Sequence, residues 1–150
     1  NIPTANFKLY DSKKAIFSAI EQNELNTPFV HKTRKAGYDG KGVKLVKSKS
    51  DLEDLLDGAS IIEDLTKIKK ELSVIVAQNT KNEVSCFPTV EMVFNENANL
   101  VEQLICPADV SSKIKHNAEK LATDLIKKLE LKGILAVEMF LTYEDELIVN

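Results

Sequence analysis

Phe29-Val30-His31-Lys32-Thr33-Arg34-Lys35-Ala36-Gly37-Tyr38-Asp39-Gly40-Lys41-Gly42-Val43-Lys44-Leu45-Val46 sets two β-rich segments on either side of a tip that holds three of the chain's five glycines. Pro28 is tolerable at the first position of a strand, and the alternation resumes at Val43, so the stretch is expected to form a hairpin with a glycine-rich tip. Such a tip has two uses. Glycines let backbone N–H groups approach an anion closely, and a lysine adds compact positive charge, which is how a loop covers a polyphosphate. Equally, the glycines could do no more than satisfy turn geometry. No helix start follows Gly42, so this is neither the Walker pattern nor a dinucleotide fingerprint.

Working outward, Ala15, Ile16, Ala19 and Ile20 share a face at helical spacing within 12–23. Beyond the hairpin, Ser50-Asp51-Leu52-Glu53 has the capping-box pattern and predicts a helix of about two turns ending at Gly58. Strands are expected at Ser60-Ile61-Ile62-Glu63 and at Glu71–Ala77, joined by a polar connector from Asp64 to Lys70. A turn at Thr80-Lys81-Asn82 leads into extended segments at 84–87, 89–94 and 100–106. From Ser111 to Leu131, Ile114, Ala118, Leu121, Ala122, Leu125, Ile126 and Leu129 keep the 3.6-residue repeat, with Gly133 expected to mark its end. Ile134–Thr142 predicts a buried strand, Tyr143–Glu146 a turn, and Leu147 onward the returning arm. The fold class is α+β with a mixed, mainly antiparallel sheet.

The chain has 150 residues, 43% hydrophobic and 29% charged, the balance of a globular chain. A chain this long buries roughly two-thirds of its surface on folding, enough for a core without metal or disulfide staples. Twenty basic against twenty-three acidic side chains give a net charge of −3, the wrong sign for a nucleic-acid partner. No apolar run approaches the ~20 residues that span a bilayer, so no membrane partner is expected. Cys86 and Cys106 are too few for a zinc knuckle, and both read as small hydrophobes of the core in a reduced, cytoplasmic protein. The chain begins at Asn1 and stops inside the apolar run Leu147-Ile148-Val149-Asn150, and it is expected to be part of a longer protein.

Four positions stand out chemically. Lys32 lies on an apolar strand two residues before the loop, where a buried ammonium needs an anion such as a ligand phosphate, unless alternation turns it to water. Glu63 and Glu71 flank one connector and suit the amine and hydroxyl groups of a nucleoside, or are two solvated strand ends. Glu138 interrupts Ile134-Leu135-Ala136-Val137-Glu138-Met139-Phe140, and an ionised carboxylate there wants a cation. Mg²⁺ is the natural candidate because no His/Cys cluster offers a softer site, and the alternative is a wet strand face. His31 and His116 fit no triad or HExxH spacing, His116 reading as exposed on its helix, and no nucleophile–base pair can be assembled. Chemistry here would be electrostatic handling of phosphates, with the catalytic residues unknown.

Together, Phe29 to Arg34 running into Ala36-Gly37-Tyr38-Asp39-Gly40-Lys41-Gly42, then Ile62-Glu63, Glu71–Ala77, Phe87-Pro88 and Ala136-Val137-Glu138-Met139-Phe140 closely resemble the 5-(carboxyamino)imidazole ribonucleotide synthases. These are ATP-grasp ligases of purine biosynthesis, the ATPase subunit of phosphoribosylaminoimidazole carboxylase. The resemblance implies MgATP-dependent carboxylation of 5-aminoimidazole ribonucleotide by bicarbonate through carboxyphosphate. It places Lys32 on the α-phosphate and Gly37, Tyr38, Asp39, Gly40, Lys41 and Gly42 over the triphosphate, with Tyr38, Asp39 and Lys41 also facing the ribotide. It places Glu63 and Leu65 at the adenine edge, Glu71 on the ribose hydroxyls, Asn150 among the ATP contacts and Glu138 on Mg²⁺, with a second carboxylate just past Asn150. Ala36, Val43 and Gln78 depart from the family's usual glycine, glutamine and arginine. Connector 64–70 lacks its usual aromatic.

The resemblance implies an ATP-grasp small lobe over 1–62 and a truncated large lobe over 63–150. A cytoplasmic homodimer is expected for the whole enzyme by analogy. Two alternatives are another ATP-grasp ligase, formate-using or related to biotin carboxylase, and a non-catalytic nucleotide-binding module for this fragment alone.

Overall fold

The computed structural model describes residues 2–35, 37, 41–95 and 100–150. The chain divides into two compact units, Ala5–Thr66 and Lys67–Asn150, the latter joined by the segment up to Thr4. The division falls past the Ile62/Glu63 boundary read from the sequence, because the strand there continues to Asp64, whose N–H bonds to Asn6 O at 3.0 Å.

The smaller unit holds β1 (Phe7–Tyr10), α1 (Lys13–Glu21), β2 (Phe29–Thr33), β3 (Val43–Val46), a 3-10 turn (Lys49–Asp54) and β4 (Ser60–Asp64). Its sheet is antiparallel in the order β1-β4-β2-β3. Ser12 caps α1 by accepting from Ala15 N–H, and Ile16 and Ala19 carry the buried stripe. Ile16, Phe29, Val46, Leu52, Leu55 and Ile62 form the core. The expected two-turn helix at 50–58 is a single 3-10 segment capped differently. Asp51, not Glu53, reaches back, accepting from Lys47 N–H at 2.8 Å and Ser48 N–H at 2.9 Å. These two backbone donors, backed by the Ser48 hydroxyl and Lys44, hold the Asp51 carboxyl below the usual range.

His31 is fully buried inside this unit. Ser60 Oγ donates to Gly58 O at 3.1 Å and so accepts from His31 Nε2–H at 2.7 Å, which fixes the neutral tautomer. Nδ1 is buried without a hydrogen-bond partner among the described residues. Burial first, then Lys13 and Lys44, pushes the imidazole below its ordinary value. A proton binds the unfolded chain near pH 6.5 and the folded one only at lower pH, so this contribution to stability is complete above about 6.5 and declines below it. The urea midpoint of the smaller unit is expected to fall between pH 7.5 and 5.5, and more steeply than in a His31→Gln variant. Parallel profiles would remove His31 as the cause.

The larger unit holds β5 (Ile68–Gln78), β6 (Val84–Cys86), β7 (Val90–Asn95), β8 (Leu100–Ile105), α2 (Ser112–Lys128), β9 (Gly133–Thr142) and β10 (Leu147–Val149). All strand pairs in this six-stranded sheet are antiparallel, in the order β10-β9-β5-β7-β8 with β6 also on β5. β5 starts earlier than Glu71, so the connector shortens to 65–67. Ala118 and Ala122 let α2 lie close on the sheet, where Ile126 packs with Val74, Val76, Val137 and Met139. Ile114 joins Leu72, Ala108 and Leu141. Leu129, expected on the buried stripe, is exposed at the C-cap.

Glu130, and not Gly133, turns α2 off. It adopts φ 51° while its N–H bonds Lys127 O and Leu131 N–H bonds Ile126 O, a Schellman motif; Gly133 already belongs to β9. Cys86 is half-buried against α2, with Sγ 3.4 Å from Thr123 Oγ1. Cys106 is exposed and not a core residue, since β8 is an edge strand whose residues are open on both faces. Among the described residues no helix is long and apolar enough to cross a membrane.

Candidate nucleotide and metal site

In the smaller unit, strand alternation turns Phe29 and His31 inward and Val30 and Lys32 outward. The outer face also carries Phe7 and Leu9 of β1, Ile61 and Glu63 of β4, and Val43 and Leu45 of β3, as their register requires. Lys32 is set on this mostly apolar face, and its partner there is Glu63, with Nζ–Oε2 2.8 Å. The sequence suggested an anion for Lys32 and did not show that Glu63 supplies one. Glu71 belongs to the other unit. Leu65 is 43% exposed on the connector. Arg34, beside the loop, is matched by Asp11 at 3.4 Å.

The base of the glycine loop is a backbone crossing. Thr33 N–H donates to Gly42 O at 2.9 Å, closing the last rung of the hairpin. A Cβ on Gly42 would lie 2.3 Å from Gly37 Cα and 2.7 Å from Thr33 Oγ1. Close approach of the two segments leaves no room for a side chain at these glycines. Thr33 Oγ1 is buried at this neck without a hydrogen-bond partner among the described residues. Lys41 is exposed just inside it. Tyr38, Asp39 and Gly40 lie outside the described residues.

In the larger unit, α2 covers one sheet face, the one holding Leu72, Val74, Val76, Val137 and Met139. The opposite face carries Glu71, Ser73 and Ile75 on β5, opposite Phe140, Glu138 and Ala136 on β9. Glu138 is therefore exposed, and the buried-strand expectation is corrected: β9 is apolar in sequence but only one of its faces is covered. Asn150 N–H donates to Glu138 O at 3.0 Å, which puts residues 138 and 150 side by side. Glu71 is one step diagonal to Glu138, and Ser73 directly opposes it. Ser73 was missed in the sequence, although counting two from Glu71 places it on the same face.

Glu138 and Asn150 offer hard oxygen donors of the kind Mg²⁺ takes. Among the described residues no three His, Cys, Asp or Glu side chains gather at one point. The pair fits Mg²⁺ as a partial donor set that phosphate oxygens would complete, which is how this ion is ordinarily held.

A Bacillus subtilis N5-carboxyaminoimidazole ribonucleotide synthase is 40% identical over 150 residues, covering 97% of this chain and 38% of that protein. The crystal structure of N5-carboxyaminoimidazole ribonucleotide synthetase from Thermotoga maritima matches with TM-score 0.81 and 36% identity, over 99% of this chain and 36% of that one. The Aspergillus clavatus N5-carboxyaminoimidazole synthase in complex with ADP and 5-aminoimidazole ribonucleotide matches with TM-score 0.83 and 29% identity, over 99% and 39% of the two chains. The chain thus spans less than half the length of these relatives. The ATP-grasp domain profile matches residues 1–150, and the chain belongs to the ATP-grasp family.

Proposed function

We propose that this chain is the nucleotide-binding portion of a 5-(carboxyamino)imidazole ribonucleotide synthase of purine biosynthesis. ATP, bicarbonate and 5-aminoimidazole ribonucleotide are its substrates. The observation that carries the reading is the glycine neck, where Gly37 and Gly42 cross within contact of Thr33 and bring the loop's two ends onto the strand that bears Lys32. Relatives so named share the fold at 36% and 29% identity, and one was crystallised with ADP and 5-aminoimidazole ribonucleotide.

A bicarbonate oxygen attacks the γ-phosphorus of ATP, the bond to ADP breaks, and carboxyphosphate forms. The amine of the ribotide then bonds to the carboxyl carbon, phosphate leaves with the bridging oxygen, and the nitrogen gives up a proton. Both steps move negative charge between phosphoryl oxygens, so the protein's task is positioning and neutralisation. Lys32 holds the α-phosphate. Gly37, Gly40 and Gly42 bring backbone amides to the triphosphate, and Tyr38, Asp39 and Lys41 face both triphosphate and ribotide. Leu65 and the backbone of Glu63 border the adenine, and Glu71 accepts from the ribose hydroxyls. Glu138 and Asn150 would hold Mg²⁺, which when bound offsets charge on the transferring phosphoryl group. The whole enzyme works as a cytoplasmic homodimer, without nucleic acid or membrane.

The test is ATP hydrolysis by the full-length protein. Hydrolysis should rise when 5-aminoimidazole ribonucleotide and bicarbonate are both present, and a rate indifferent to them would defeat the substrate assignment.

A further inference from the structure

We propose that Ser73 binds the nucleotide directly, its hydroxyl donating to the phosphate that joins the ribose to the metal-bound end of the polyphosphate. The proposal rests on the readings of Glu71 as a ribose contact and of Glu138 as a metal ligand. On the open face of the larger sheet Ser73 is the centre of one row, opposite Glu138 of β9 on one side and Val90 of β7 on the other. Glu71 stands two residues before it on β5, and Ile75 two residues after it, opposite Ala136. Ser73 is therefore about 7 Å along the strand from Glu71, and its Cβ is about 4.5–5.5 Å across from that of Glu138.

This placement is firmly held. Leu72, Val74 and Val76 are buried on the face that α2 covers, so a slip of one residue in β5 would expose all three. Serine is otherwise a poor choice in the run Leu72–Val76, where a strand favours β-branched or aromatic side chains. What it supplies is a short stem and a donor. Ser73 is half-buried, and its hydroxyl has no hydrogen-bond partner among the described residues. A ribose on Glu71 reaches a metal beside Glu138 only through its first phosphate, so that group passes over the residue standing between the two carboxylates. A neutral hydroxyl there donates to a phosphate oxygen without competing with the metal for Glu138, as a second cationic side chain would.

The experiment titrates ADP and adenosine calorimetrically, with and without Mg²⁺, into full-length protein carrying Ser73→Ala, Ser73→Thr or Ser73→Val. Threonine and valine match in shape, so that pair isolates the hydroxyl. Ser73→Ala and Ser73→Val are expected to weaken ADP about three- to thirtyfold, to leave adenosine unchanged and to keep the Mg²⁺ increment, while Ser73→Thr stays within about twofold of the unsubstituted protein. Equal weakening of adenosine would place the hydroxyl on the nucleoside, and loss of the Mg²⁺ increment would make Ser73 a support for Glu138. Equal losses for the threonine and valine variants would point to shape alone. Each of these results, or an unchanged ADP affinity in Ser73→Val, would overturn the assignment. Failure of the unsubstituted protein to bind ADP would overturn the nucleotide reading itself, and this assignment with it.

Discussion

Gly42→Ala should weaken ADP binding by about tenfold to a hundredfold, because it opens the neck that aligns the loop with Lys32. The new methyl would lie 2.3 Å from Gly37 Cα and 2.7 Å from Thr33 Oγ1. The first of these is backbone, so rotating a side chain cannot relieve it. The two chain segments must part, and the Thr33 N–H to Gly42 O bond of 2.9 Å lengthens with them. Overpacking of this kind costs about 1–3 kcal/mol, and the unfolding midpoint of the smaller unit should drop accordingly. Gly37→Ala meets Thr33 Oγ1 at 2.9 Å and Gly42 Cα at 3.1 Å, a milder clash. Its losses should be smaller on both measures. An unchanged ADP affinity and midpoint for Gly42→Ala would show that the neck has no such role.

Glu138→Gln separates chemistry from folding. The side chain is exposed on the open sheet face, away from the cluster of Val74, Val76, Val137 and Met139, and a surface amide of the same shape should change stability by no more than about 0.5 kcal/mol. The hard anionic donor disappears, however, and an amide oxygen replaces it poorly at a divalent cation. The gain in ADP affinity on adding Mg²⁺ should vanish, and ATP hydrolysis by the full-length protein should fall by about a hundredfold or more. Binding without metal should be little altered. Retention of both the Mg²⁺ increment and the hydrolysis rate would remove Glu138 from the metal site.

Local periodicity carried the elements well because each is largely covered on one side. The 3.6 repeat from Ile114 to Ile126 follows from the sheet that α2 covers, whereas in β3 the apolar Val43 and Leu45 are exposed and Val46 is the buried residue. What the sequence hid depended on pairing at a distance. Lys32 meets Glu63 only because β4, fourth in the chain's strand order, inserts between β1 and β2. His31 meets Ser60 for the same reason. In β9, Ala136 and Phe140 extend an apolar run across both faces, which leaves a buried and a wet position for Glu138 equally open in the sequence, and α2 covers only the other face. The caps failed more locally: Ser50 and Glu53 match the motif, yet Asp51 lies at the right reach from Ser48, and Glu130 takes a left-handed turn where Gly133 was the obvious candidate. The loop glycines could be read either as an anion cover or as turn formers. The crossing at Gly37 and Gly42 adds a steric reason for two of them.

The most direct test of the proposed chemistry is transfer of isotopically labelled bicarbonate by the full-length protein with ATP and 5-aminoimidazole ribonucleotide. Label is expected in the carbamate carbon of N5-carboxyaminoimidazole ribonucleotide, with one ADP and one phosphate formed per label fixed and no product without ATP. Label absent from the ribotide while ATP is consumed, or incorporation that requires formate instead of bicarbonate, would contradict it.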